Sequence, residues 1–193
     1  MDTSRLEAFS VGVIAIIITI RVLELRVPHE SALAALRPLL PIFLSYVLSF
    51  TNIGIYWNNH HHMLHLVKRV NGTILWANLH LLFWLSLMPF ATAWMGENHF
   101  AAAPTALYGL DLLGSGFAYY GLARTIMRQE GPDSLFAAAV GHDLKERISL
   151  VAYVIAIPTA FIAPWISWSM YILVALIWLV PDRRVERVIQ PAR

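Results

Sequence analysis

Residues 5–28, RLEAFSVGVIAIIITIRVLELRVP, constrain this chain more than any other stretch. About 20 consecutive, mostly apolar residues cross a bilayer as a helix, and a segment of that kind dictates a membrane fold. It differs from a plain anchor in carrying Ser10, Gly12 and Thr19 within the apolar run and Arg21 and Glu24 near its end. Ionisable residues inside a membrane are costly and mark functional positions by default.

Composition agrees with a membrane solvent. The 193 residues are 58% hydrophobic and only 13% charged, whereas a soluble domain carries about 25% charged residues. Cysteine is absent, which excludes disulfides, thiolate metal sites and a cysteine nucleophile. A net charge of +2 is too small to suggest nucleic acid as a partner. The first apolar run is longer than a signal-peptide core and no small-residue cleavage site follows it, so a retained span is expected.

Hydropathy and helix breakers divide the chain into six expected spans within a single domain, residues 1–193. They cover roughly Leu6–Val27, Leu39–Leu66, Thr73–Met95, Ala101–Arg128, Ile148–Ala163 and Trp165–Val180, the first ended by Pro28 and the last by Pro181. The last two are short and meet at Pro164, the pattern of a tight hairpin. Arg5, Lys68, Arg69, Arg124, Arg128, Lys145, Arg147, Arg183, Arg184, Arg187 and Arg193 fall on one side of this arrangement, and only Arg26 and Arg37 on the other. The positive-inside rule then makes both termini cytoplasmic, in keeping with an even number of spans. The longest polar link, Gly131–Arg147, contains no nucleotide or catalytic motif, and no Gly-rich phosphate loop occurs anywhere.

A rise of about 1.5 Å per residue brings polar side chains of three helices to one inner layer. Ser10 and Val11 lie about one turn inside the first span. His60 and His61 fall near the end of the second, and Trp76, Asn78 and His80 near the start of the third. Polar groups in lipid must find partners on neighbouring helices. The cluster His60, His61, His62 and His65 also invites a metal or pH-responsive reading, since His61 and His65 are one turn apart. No acid or cysteine joins it at ligand spacing, and a hydrogen-bonded layer with no metal is the better reading. Deeper in the membrane are Arg21 and Asp111, at similar depth. They either pair with each other or Arg21 turns outward beside Glu24, one turn away.

At about 100° per residue, Phe9, Gly12, Val13, Ile16, Ile20 and Leu23 share one face of the first span, with Thr19 at its edge. Val11 and Arg21 lie about 140° away from Ile16. Spacing alone would assign the isoleucine face to packing or to lipid.

Arg5-x-x-x-Phe9-Ser10 at the start of this span resembles the signature of the transmembrane protein 175 family of potassium channels. Leu23–Pro28 (LELRVP), Trp57-x-x-His60 and the third span, Ile74–Glu97, resemble the family as well, most clearly at Leu75–Leu79 (LWANL). The resemblance is close over about the first hundred residues and continues beyond them as a span pattern. It implies an all-α membrane protein with six helices per subunit, assembling with itself as a homotetramer in the bacterial plasma membrane. Four copies of the first helix would line a central pore. No Thr-Val-Gly-Tyr-Gly filter is present, so selectivity must arise by other means.

The resemblance makes Ile16 the apolar constriction, with Thr19, Ile20 and Leu23 further along the same path. It gives Arg5, Phe9, Ser10, His60, Trp76 and Asn78 the task of holding the pore helix. One position departs: the family's signature Asp is Val11 here, whose side chain accepts no hydrogen bond. Arg21 likewise stands where an apolar residue is usual. The expected function is a passive, potassium-preferring cation channel that is not an enzyme, uses no cofactor and has K+ and the bilayer as its partners besides its own copies. A proton or weakly selective leak is the alternative within transport. A haem or metal enzyme using the histidines, and a nonconducting scaffold suggested by Val11, are the alternatives outside it. Secondary transport is disfavoured by the lack of an inverted repeat or paired broken helices.

Overall fold

The computed structural model describes residues 3–25, 27–29, 31–140 and 144–179. Arg26, Val180, Pro181, Arg183, Arg184, Arg187 and Arg193, used above for span ends and charge bias, lie outside the described residues.

Among the described residues seven α-helices follow one another: α1 (Thr3–Ile20), α2 (Leu40–His65), α3 (Gly72–Glu97), α4 (Ala102–Glu130), the short α5 (Leu135–Val140), α6 (Leu144–Thr159) and α7 (Pro164–Leu179). A 3-10 turn, Arg21–Glu24, extends α1, and a second 3-10 segment, Leu33–Leu39, leads into α2. Every expected span therefore coincides with a helix. Only α5 has no counterpart in the sequence reading, because six residues are too few to show a period.

Local chemistry explains the ends. Pro41 sits in the first turn of α2, where the missing N–H is harmless. The Asn71 side chain caps α3 by accepting from the Ile74 N–H at 2.9 Å. Gly131, at φ 92°, closes α4 in a conformation that only glycine adopts freely, its N–H reaching Met127 O at 3.0 Å. Pro164 opens α7, and Ser167 Oγ donates back to Ala156 O at 2.7 Å, drawing α6 and α7 into the expected hairpin.

Among the described residues three segments are long and apolar enough to cross a membrane: Thr3–Glu24, Leu33–His65 and Gly72–Glu97. Pro164–Leu179 is apolar but shorter. By length and composition, the described residues thus support three spans rather than six. The physical reasons differ. α4 has 29 residues, ample for a bilayer, but Gly, Ala, Ser and Tyr dilute its hydropathy. α6 and α7 have 16 residues each, about 24 Å of helix against a hydrocarbon core of about 30 Å.

The small residues of α4 have a packing role. α4 lies against α3, α6 and α7 with its Gly109 and Gly114 at the closest approaches. A Cβ at Gly114 would overlap the Trp84 ring of α3, and one at Gly109 the Tyr171 hydroxyl of α7. Small residues admit such approaches between membrane helices. Tyr108 and Tyr171 meet edge to face at 5.4 Å, and Tyr171 Oη donates to Thr105 O at 3.2 Å. The core runs through these contacts with Ile53, Leu64, Ile74, Leu81, Leu85 and Met88, all buried.

Gly114→Val is expected to destabilise the protein by about 1–3 kcal/mol through overpacking against Trp84. Gly121→Ala, on the same helix but facing open space, is expected to be neutral or stabilising. Thermal unfolding in detergent compares the two, and equal losses would refute the packing argument.

Candidate functional site

α1 has two unlike faces. Leu6, Ser10, Ile14, Ile17 and Arg21 are buried against α2 and α3. Phe9, Ile16, Ile20 and Leu23 project from the other side, Ile16 at 65% and Leu23 at 83% exposure. Thr19 is exposed too, its hydroxyl returned to its own helix at Ala15 O, 2.7 Å away. The face defined by spacing is therefore open in the single chain, with Arg21 directed away from it.

The inner layer forms around Asn78. Its Nδ2 donates to Ser10 Oγ at 3.0 Å, and its Oδ1 lies 2.7 Å from His60 Nε2. Ser10 Oγ in turn donates to Leu6 O at 2.8 Å. All three side chains are buried, so one amide joins α1, α2 and α3. An amide suits this place because it donates and accepts at once. Below the layer, Thr3 Oγ1 donates to Val67 O at 3.2 Å, fastening the start of α1 to the α2–α3 link.

Other residues expected beside them stand apart. Arg5 is exposed and outside the layer; Phe9 is exposed on the open face; Trp76 is 75% exposed on α3. Val11 is at the exposed edge of α1, and the hydrogen-bonded chain closes without it. His61 Nδ1 lies 2.7 Å from Glu7 Oε1, a second tie between α2 and α1, and its ring stacks on Trp57 and His65. Among the described residues no three His, Cys, Asp or Glu side chains converge as metal ligands would.

The outer end of α1 is held differently. Arg21, 2% exposed, donates to the Glu24 carboxylate and, through Nη2, to Ser45 Oγ of α2 at 2.9 Å. Gly96 of α3 presses on the same serine, where any side chain would collide. Of the two readings of Arg21, the geometry realises the one with Glu24. The ion pair with Asp111 does not form, because Arg21 faces Ser45 at the outer end whereas Asp111 is enclosed near Tyr108 in α4. Asp111 is buried and neither of its oxygens accepts a hydrogen bond among the described residues.

Sequence reasoning missed Ser45, Glu7 and Asn52. Asn52 Nδ2 donates to Tyr108 Oη at 2.9 Å, joining α2 to α4. An amide inside an apolar run was a readable signal. Ser45 was not, since serine is common in such helices and its partner comes from 24 residues earlier.

Removing Asn78 leaves two buried polar groups without their partner. Asn78→Leu is expected to lower stability by about 1–3 kcal/mol. A double-mutant cycle with Ser10→Ala is expected to give a coupling of about 0.6 kcal/mol, and no more than about 1.7. Additive losses in detergent unfolding would show that the pair is not coupled.

Comparison with known proteins gives this arrangement its context. A family described as the endosomal/lysosomal potassium channel TMEM175 matches residues 5–89, from Arg5 to Pro89. A potassium channel of a Chryseobacterium species is 57% identical over 187 residues, covering 97% of each chain. One from Streptomyces collinus is 35% identical over 132 residues, 63% of each chain. The crystal structure of a lysosomal potassium-selective channel TMEM175 homolog from Chamaesiphon minutus superposes with a TM-score of 0.77 at 28% identity, covering 92% of this chain and 96% of that one. The chain is an all-α, multi-pass membrane protein and belongs to the TMEM175 family of potassium channels, a family of channels rather than enzymes.

Proposed function

We propose that the chain forms a passive, potassium-preferring cation channel in the bacterial plasma membrane. Four identical subunits of six membrane helices each (α1, α2, α3, α4, α6 and α7) surround a pore lined by α1, with both termini cytoplasmic. Ile16 is the constriction, and Thr19, Ile20 and Leu23 line the path beyond it.

The two-faced character of α1 carries this reading. Its buried face is fixed by Ser10 and Arg21, while Ile16, Ile20 and Leu23 are left uncovered in one subunit. Fourfold assembly around that face would bring the four isoleucines together. An apolar ring of this kind gates by steric closure and dewetting. The relatives described as potassium channels support the permeant ion. The two short helices, α6 and α7, pack on each other and on α4, and local thinning or tilting of the bilayer accommodates spans of about 24 Å.

Val11 favours a second reading, a channel of low activity. The hydrogen-bonded layer closes without an acceptor at position 11, so the helix is held; the electrostatic contribution of an Asp there is missing.

Purified protein in a planar bilayer, with K+ on one side and Na+ on the other, tests the proposal. The reversal potential is expected near the K+ limit, and Ile16→Asn is expected to raise the current at least several-fold by hydrating the ring. A reversal that follows the proton gradient would establish the leak instead. Silence from folded tetramer, relieved by Val11→Asp, would establish the weakened channel; silence in both would leave a scaffold.

A further inference from the structure

Two buried hydroxyls depart from a habit of their neighbours. Ser10, Thr19, Ser45, Thr92 and Ser149 each donate to a carbonyl of their own helix about one turn back, at 2.7 to 2.8 Å. That carbonyl is within reach of any serine or threonine in a helix. Ser49 of α2 and Ser115 of α4, 1% and 0% exposed, do not use it, and neither hydroxyl has a hydrogen-bond partner among the described residues. Asp111 of α4 is in the same condition, 4% exposed with neither carboxyl oxygen accepting a hydrogen bond. No Lys, Arg or His among the described residues forms an ion pair with it. Buried polar atoms are nearly always partnered, so oxygens left over on three side chains call for an explanation.

The fold sets the three at one level between α2 and α4. Asp111 and Ser115 are four residues apart and share a face of α4. Ser49 and Asn52 are three apart and share a face of α2. Asn52 Nδ2 reaches Tyr108 Oη at 2.9 Å, and Tyr108 is one turn before Asp111. Further along, Tyr56 meets Tyr119, so the two helices run in the same direction. Ser49 is nine residues from the start of α2 at Leu40, and Asp111 nine from the start of α4 at Ala102. Each is therefore about 13 Å deep. The Asp111 carboxyl is close enough to Tyr108 and, across the gap, to Tyr56 of α2 for its charge to act on both hydroxyls.

A carboxylate enclosed in a membrane bundle keeps its charge only beside a cation. A proton would neutralise it and serve one further oxygen at most, whereas a metal cation takes carboxylate and hydroxyl oxygens together. The donors are all oxygen, with no imidazole or sulfur, which suits a hard ion. One carboxylate balances one positive charge, and a divalent ion would leave a net charge buried. Few ligands in an enclosed place favour the smaller alkali ions over potassium. We propose that Asp111, Ser115 and Ser49 bind a small alkali cation, sodium in preference to potassium, between α2 and α4 of each chain. The site is off α1 and independent of whether the pore conducts.

Thermal unfolding of the purified full chain in detergent tests this, with NaCl or KCl replacing choline chloride at constant ionic strength and pH. Sodium is expected to raise the Tm saturably, by about 3–5 °C at ten times its half-saturating concentration. Potassium is expected to need a several-fold higher concentration for the same rise. Asp111→Asn is expected to abolish the sodium dependence. Ser115→Ala and Ser49→Ala are each expected to raise the half-saturating concentration several-fold, which keeps the test open if the Asp111 variant fails to fold. Ile16→Asn is expected to respond like the parent. Equal stability in sodium and choline would overturn the proposal, as would a response to potassium equal to or stronger than that to sodium. A stability that answers to pH but not to sodium would make Asp111 a proton-holding acid and overturn it too. So would a full sodium response in Asp111→Asn or in both serine variants, or its loss in Ile16→Asn, which would put the ion in the pore.

Discussion

One amide underlies the arrangement of the first three helices. Asn78 gives a hydrogen bond to Ser10 and accepts one at His60, so α1, α2 and α3 share a single buried junction. In water such bonds would be exchangeable, and in hydrocarbon there is no solvent to replace them. Dispersion between apolar helices is not directional. The junction therefore supplies what packing alone does not, the rotation of α1 about its own axis. With Ser10 turned inward, Ile16 must turn outward.

The second half of the bundle is organised by close approach as well as by polar bonds. α4 carries glycines where Trp84 and Tyr171 press against it, and the Asn52–Tyr108–Tyr171 series links α2, α4 and α7. Aromatic side chains fill this region by contact with one another, Tyr119 standing edge-on to Tyr56 and to Trp178.

Much of this was legible in the sequence. Helix positions followed from hydropathy and prolines, because breakers such as Pro164 and Gly131 act locally. The layer followed from depth, since Ser10, His60 and Asn78 each lie about the same rise from an inner helix end. Azimuth placed Arg21 away from Ile16. What escaped was pairing between distant positions. Depth equated Arg21 with Asp111, yet depth says nothing about direction around the bundle, and Arg21 joins Ser45 as well as the Glu24 that the sequence offered. Trp76 and Arg5 sat at the right height but faced outward.

Two of the attachments of α1, those at Ser10 and Arg21, have a mechanical meaning. Ser10 and Arg21 are eleven residues apart, about 16 Å along the axis, and both are buried. A rod clamped at two points bends most at its midpoint, and that midpoint falls at Ala15 and Ile16. Flexure between the clamps displaces this segment while the ends keep their hydrogen bonds. Rigid translation of α1 would instead break the bonds at Asn78 and Ser45 together. The most exposed isoleucine of α1 thus sits midway along a helix held at both ends, with Ile14 and Ile17 packed on the opposite face.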